Sequence, residues 1–189
     1  MASGWDVVGA AMVVIVGMGG SALATCEPEP NHQGTAMTVA RIKTEDPEIA
    51  RAIALAIEWS DTFRRQVETI ERTDGMVWIL RGRCHAMPAC LLIYLEVSGP
   101  NRMLRIHVDP RQAGEKLMES LGHELRHAVE VLGTSARTTA AMYHFFDRQA
   151  GGYRIGGWFE TNEAVQAGLA VGREVARARR LRVPQAKQP

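Results

Sequence analysis

The segment His123-Glu124-Leu125-Arg126-His127 constrains this chain more than any other. It places two imidazoles and a carboxylate inside a stretch that otherwise reads as one amphipathic helix. On a helix, residues four apart project from one face about one turn apart, so both rings can reach one Zn²⁺ at ~2.0–2.1 Å. Glu124, beside the first histidine, is then positioned to take a proton from a water activated by that ion. Asp109 is a natural N-cap, Pro110 suits the first helical position and Gly133 a helix end, which together predict a helix over 110–132. At 100° per residue, Leu117, Leu121, Leu125, Ala128 and Leu132 share one apolar stripe, and His123 and His127 point away from its centre.

Two histidines and a water leave a tetrahedral catalytic site one protein ligand short. A third His after an intervening Gly does not supply it, because Glu130 and Gly133 stand where that Gly and His would fall. The segment Phe159-Glu160-Thr161-Asn162-Glu163-Ala164-Val165 offers two carboxylates instead. It opens a second helical pattern in which Ala164, Gly168 and Val171 share a face with Glu160, and small residues there let this helix approach the histidine helix closely. Glu130, one turn beyond His127, is placed either to back that ring or to stand in solvent, the latter being the expectation.

On these residues the chain resembles the zincin metallopeptidases, and among them the Glu-liganded gluzincins. Asn162-Glu163-Ala164-Val165 is similar to the Asn-Glu segment that supplies the third ligand in thermolysin-like enzymes, which nominates Glu163. A closer likeness is to small uncharacterised bacterial proteins with a His-Glu-Leu-x-His-Ala element followed by Phe/Tyr-Glu-Thr, which nominates Glu160. Glu160 is the favoured ligand and Glu163 the alternative. The resemblance spans about residues 76–175. It implies a zinc-dependent hydrolase acting on a peptide or protein, with Zn²⁺ on His123, His127 and Glu160 and with Glu124 as general base.

A chain of 189 residues, 46% hydrophobic and with net charge +1, is long enough for one domain with a sizeable core. Arg173, Arg177, Arg179, Arg180 and Arg182 make the C-terminal end basic without interleaved aromatics, so no nucleic-acid partner is expected. Val7 to Met18 is an uncharged run, and Ala22-Leu23-Ala24 forms a small-x-small cleavage pattern, so residues 1–24 read as a signal peptide. The expected location is therefore periplasmic or extracellular. The run falls short of the ~20 residues of a comfortable membrane span, and a retained anchor or a lipidated Cys26 are the alternatives. Cys84 and Cys90 flank a short loop that an oxidising compartment could close as a disulfide, or that could join His85 in a Cys/His zinc site.

Residues 25–45 read as a linker, 46–183 as the metallohydrolase domain and 184–189 as a tail. Within the domain, Asp46-Pro47-Glu48 begins a helix over 47–72. Strand-like runs follow at 76–82, 90–97 and 102–108, the last two joined by a turn at Ser98-Gly99-Pro100-Asn101. Thr134-Ser135 caps a helix over 136–149. The expected class is α+β: a small antiparallel sheet, an active-site helix and a helical C-terminal part, as in a compact zincin. Gly151 to Gly157 forms a glycine-flanked loop, and Tyr153, Tyr143 and His144 are candidates to stabilise an oxyanion beside the metal. His85 and His107 are weaker ones. Two rival readings stay open: a non-catalytic, structural-zinc or metal-binding envelope-associated protein, and a di-iron bundle, which would need a second Glu-x-x-His element that the sequence lacks.

Overall fold

The first regular element, β1 (Ile42–Lys43), pairs in parallel with β2 (Gly75–Arg81), and so lies inside what reads from sequence as linker. Ile42 is buried in the core, but a strand of two residues is too short to show alternation. The computed structural model describes residues 39–149, 154–155 and 158–182. The proposed signal peptide, Cys26, the start of the linker, Tyr153 with the glycines at 151, 152, 156 and 157, and the tail lie outside the described residues.

The run expected as one helix is two, α1 (Pro47–Trp59) and α2 (Asp61–Glu71). Ser60 is extended at φ −133° and ψ 115°, and its hydroxyl caps α2 by accepting from the Phe63 amide at 3.0 Å. Glu174 completes the junction, accepting from Ser60 Oγ at 2.5 Å and from the Thr62 amide at 3.0 Å. Asp46 caps α1 through the Ile49 amide, as the sequence predicts.

The sheet is mixed rather than antiparallel. Its order is β1-β2-β5-β3, with β4 also paired to β5. β2 runs parallel to β5 (Asn101–Val108), while β3 (Ala89–Leu91) and β4 (Glu96–Ser98) are antiparallel to it. The single run expected over 90–97 is thus two short strands on one neighbour, and the detour through them returns the chain to β5 in the same direction as β2. Alternation within a strand reveals its buried face but not its neighbour, which is why the pairing was not legible. The turn at 98–101 does form the β4–β5 hairpin, with Gly99 at φ +57°, a conformation glycine adopts at little cost.

Val77 and Ile79 of β2, with Leu104, Ile106 and Val108 of β5, form one wholly buried face. Against it pack the apolar faces of the helices, including Leu117, Leu121, Leu125, Ala128 and Leu132 of α3 (Gly114–Leu132), the predicted stripe. Full burial of each such leucine contributes ~1.5–3 kcal/mol. Helix α3 starts four residues later than expected. The Asp109 carboxylate accepts from the Arg111 amide at 2.8 Å and holds a turn, so Ala113 becomes the N-cap with no side-chain bond. At its other end, buried Arg102 donates to the carbonyls of Leu132 at 2.8 Å, Thr134 at 2.7 Å and Ala136 at 3.2 Å. One arginine thereby satisfies carbonyls at and beyond the helix terminus and anchors it to β5.

Helix α4 (Thr139–Gln149) begins after Thr138, whose hydroxyl accepts from Ala141 N at 3.1 Å; Thr134 caps only the preceding turn, through Ala136 N. A short hairpin of β6 (Arg154–Ile155) and β7 (Trp158–Phe159) then leads to α5 (Asn162–Arg182). Helix α5 lies close on α3 through small residues. A Cβ built at Gly122 would come within 2.6 Å of Val171 Cγ2, and one at Gly168 within 3.1 Å of His123 Cβ. Among the described residues no helix is long and apolar enough to cross a membrane.

Candidate metal centre

His123 and His127 lie one turn apart on α3, with ring centroids 5.0 Å apart. Glu160 faces them from the residue between β7 and the cap of α5. Thr161 performs that capping, its hydroxyl accepting from Ala164 N at 3.2 Å, so the helix begins at Asn162 and Glu160 is left non-helical. Its Oε1 lies 3.2 Å from His123 Nε2 and 3.5 Å from His127 Nε2. Glu163, by contrast, sits in the first turn of α5 and is exposed. Glu160 and Glu163 therefore do not share a helix face.

One ligand atom from each of His123, His127 and Glu160 lies within 4.8 Å of the other two, so this group can hold a metal ion. Ligands ~2.0–2.1 Å from a tetrahedral ion are separated by ~3.3 Å, and the two His–Glu distances bracket that value. Two neutral imidazoles and a carboxylate suit a borderline divalent cation.

Glu130 extends the set inward. Its Oε2 is 3.1 Å from His127 Nδ1, and Thr161 Oγ1 donates to its Oε1 at 3.0 Å. With 8% of its side chain exposed, Glu130 is not the solvated surface residue expected. Burial works against a charged His127, but hydrogen bonds to Glu130 and Glu160 outweigh it and raise its pKa to about 9. Burial likewise opposes ionisation of Glu160, and the hydrogen bonds of His123 and His127 overcome it, holding the carboxyl at about 2.

Glu124 stands beside this group rather than in it. Its Oε1 is 3.9 Å from His123 Nε2, while its Oε2 accepts from the Leu91 amide at 2.6 Å. Burial pushes its pKa above the ordinary carboxylate value, against the pull of the two imidazoles and that amide. A buried carboxylate held by one oxygen, with the other turned to the ligand set, is equipped to exchange a proton there.

Glu124 and the three candidate ligands line one cleft together with Leu91, Ile93, Phe146 and Phe159. Phe146 meets His127 edge-on at 5.4 Å and stacks with Phe159 at 6.1 Å. Neither Tyr143 nor His144 lines this cleft: Tyr143 is 37% exposed with its ring against Phe159 at 5.1 Å, and His144 packs against Tyr143. His107 lies on the outer face of β5 beside Gly82, away from the centre. Cys84 and Cys90 are joined in a disulfide with Cα atoms 5.8 Å apart, which excludes the Cys/His zinc site and fixes the loop leading into β3. The Leu91 amide, the Thr161 hydroxyl and the Phe146–Phe159 wall were not anticipated. Only Thr161 had a legible signal, as a Thr three residues before Ala164 at a helix start. Compared with protein-family models, with curated proteins and with solved structures, the chain matched none of them, so its functional reading rests on its own residues.

Proposed function

We propose that this protein is a zinc-dependent hydrolase, specifically a peptidase of the zincin type, acting in an oxidising compartment outside the cytoplasm. The carrying observation is the division of labour between two buried carboxylates. Glu160 closes a ligand group with His123 and His127, while Glu124 sits next to that group with one oxygen turned to it. Three protein ligands leave a tetrahedral ion one open position, the mark of a catalytic rather than a structural site. Zinc held there would polarise a scissile carbonyl and lower the pKa of water towards ~7.

The chain's own groups supply the rest. The Leu91 amide holds Glu124 Oε2, so the carboxylate is fixed in orientation and Oε1 takes the proton of the attacking water. The same oxygen then delivers it to the leaving amine. Glu130 holds His127 Nδ1 and keeps Nε2 directed at the ligand position. Phe146 and Phe159 give the cleft an apolar wall beside His127. The Cys84–Cys90 disulfide suits an exported protein. The non-catalytic alternative, a closed structural zinc, would need a fourth protein ligand, and no fourth side chain joins the group among the described residues.

The test is elemental analysis and a broad peptide library with the purified chain and its Glu124→Gln variant. About one zinc per chain is expected in both, with the hydrolytic rate of the variant lower by roughly 10²–10⁴. Undiminished activity in Glu124→Gln, or absence of transition metal after zinc-supplemented expression, overturns the reading.

A further inference from the structure

On its outer side the metal centre continues into a groove with two apolar walls from distant parts of the chain. Met87 and Pro88 of the disulfide-closed loop form one wall, and Val165 and Leu169 of α5 the other. His123 and Glu124 line this groove as well as the inner cleft, so the two spaces adjoin at these side chains. Val165 and Leu169 are four apart on one helix face, and Gly168 between them lets α5 come down onto α3. A Cβ there would stand 3.1 Å from His123 Cβ.

Leu169 is 43% exposed, a large apolar side chain left in solvent at the mouth of the site. Exposed leucines are ordinary singly, but this one lines the groove together with half-buried Val165 and with Met87, whose flexible thioether adapts to varied apolar shapes. The ionisable groups lining the groove are Glu119, His123 and Glu124, and Glu119 is held by Lys116 at 2.9 Å. An acidic side chain entering there would meet two carboxylates and an apolar wall, while an aliphatic one would bury surface on both sides.

We infer that this groove seats an apolar side chain of the peptide substrate next to the bond that is cut, with Leu169 and Met87 setting the preference. The inference rests on the peptidase reading of the centre. The test reads binding separately from cleavage. The full chain carrying Glu124→Gln, loaded with zinc, is titrated with acetylated, amidated alanine hexapeptides in which each position in turn is Leu or Glu. At one position the Leu peptide is expected to bind about ten-fold tighter or more than its Glu counterpart. Leu169→Asp, added to that protein, removes the difference, and Leu169→Met keeps it, both with zinc content and melting temperature unchanged. Absence of peptide binding, equal binding of Leu and Glu peptides, or a preference that survives Leu169→Asp overturns the assignment. Selective binding with no cleavage of the same peptides by the wild-type chain sinks the peptidase reading and leaves the groove as a peptide site. Cleavage without preference for Leu sinks the groove alone.

Discussion

Glu130 Oε2 stands 3.1 Å from His127 Nδ1 while His127 Nε2 faces Glu160 at 3.5 Å, so one buried imidazole is held by a carboxylate at each nitrogen. With a metal at Nε2, Nδ1 carries the proton and Glu130 accepts it, which fixes both tautomer and ring orientation. Thr161 extends the link, since its hydroxyl donates to Glu130 and its amide to Glu160 Oε1 at 3.1 Å. Two candidate ligands from separate elements are thereby tied together behind the candidate metal position. Glu130→Ala is expected to lower zinc affinity by about 10–100-fold, measured by competition with a chromophoric chelator. An unchanged affinity would show that the ring is oriented by packing against Phe146 alone.

The non-helical placement of Glu160 separates two carboxylates that are neighbours in sequence. Glu160→Ala removes a ligand atom and should abolish stoichiometric zinc retention on dialysis. Glu163→Ala changes an exposed residue in the first turn of α5 and should retain the metal, with stability altered by no more than ~0.5 kcal/mol. The reverse order of metal loss would place Glu163 at the centre and require α5 to begin at a different residue.

What could be read beforehand divides along physical lines. The spacing of His123 and His127, the apolar stripe of α3 and the glycine-mediated approach of α5 follow from helical periodicity, which is a local property. The Asp46 cap and the Gly99 turn are local too. Long-range pairing is not: nothing near Gly75 to Arg81 announces that the strand lies parallel to residues 102–108. The enclosure of Glu130 is non-local in the same way, since one of its partners, the Thr161 hydroxyl, comes from 31 residues away. Tyr143 and His144 are candidates by chemistry and proximity in sequence alone, and that Phe146 is the α4 side chain lining the cleft depends on how this helix packs, which is not a local property. Helix starts slipped where a side chain found a better local partner, as Asp109 did with the Arg111 amide.

The charged groups of the centre give the metal-free protein a characteristic pH dependence. Glu160, lowered from 4.5 to about 2, contributes stability that is complete above pH 4.5 and is lost as pH falls through 2. His127, raised from 6.5 to about 9, contributes stability that is complete below pH 6.5 and is lost as pH rises through 9. Both contributions are full only between those ordinary values, pH 4.5 to 6.5. Since Glu124 also titrates upward through burial, the His127 share is best isolated as a difference between wild type and Glu130→Ala, both stripped of metal. The wild type should melt higher by an increment that is constant between pH 4.5 and 6.5 and shrinks as pH approaches and passes 9. Zinc reverses the trend, because binding displaces the His127 proton, so the rise in melting temperature on adding metal should grow as pH increases across the same range. Scanning fluorimetry of the two proteins, with and without zinc, measures both slopes. A zinc-induced increment that does not change with pH would mean that no proton leaves His127 on binding, and the ion would then lie elsewhere.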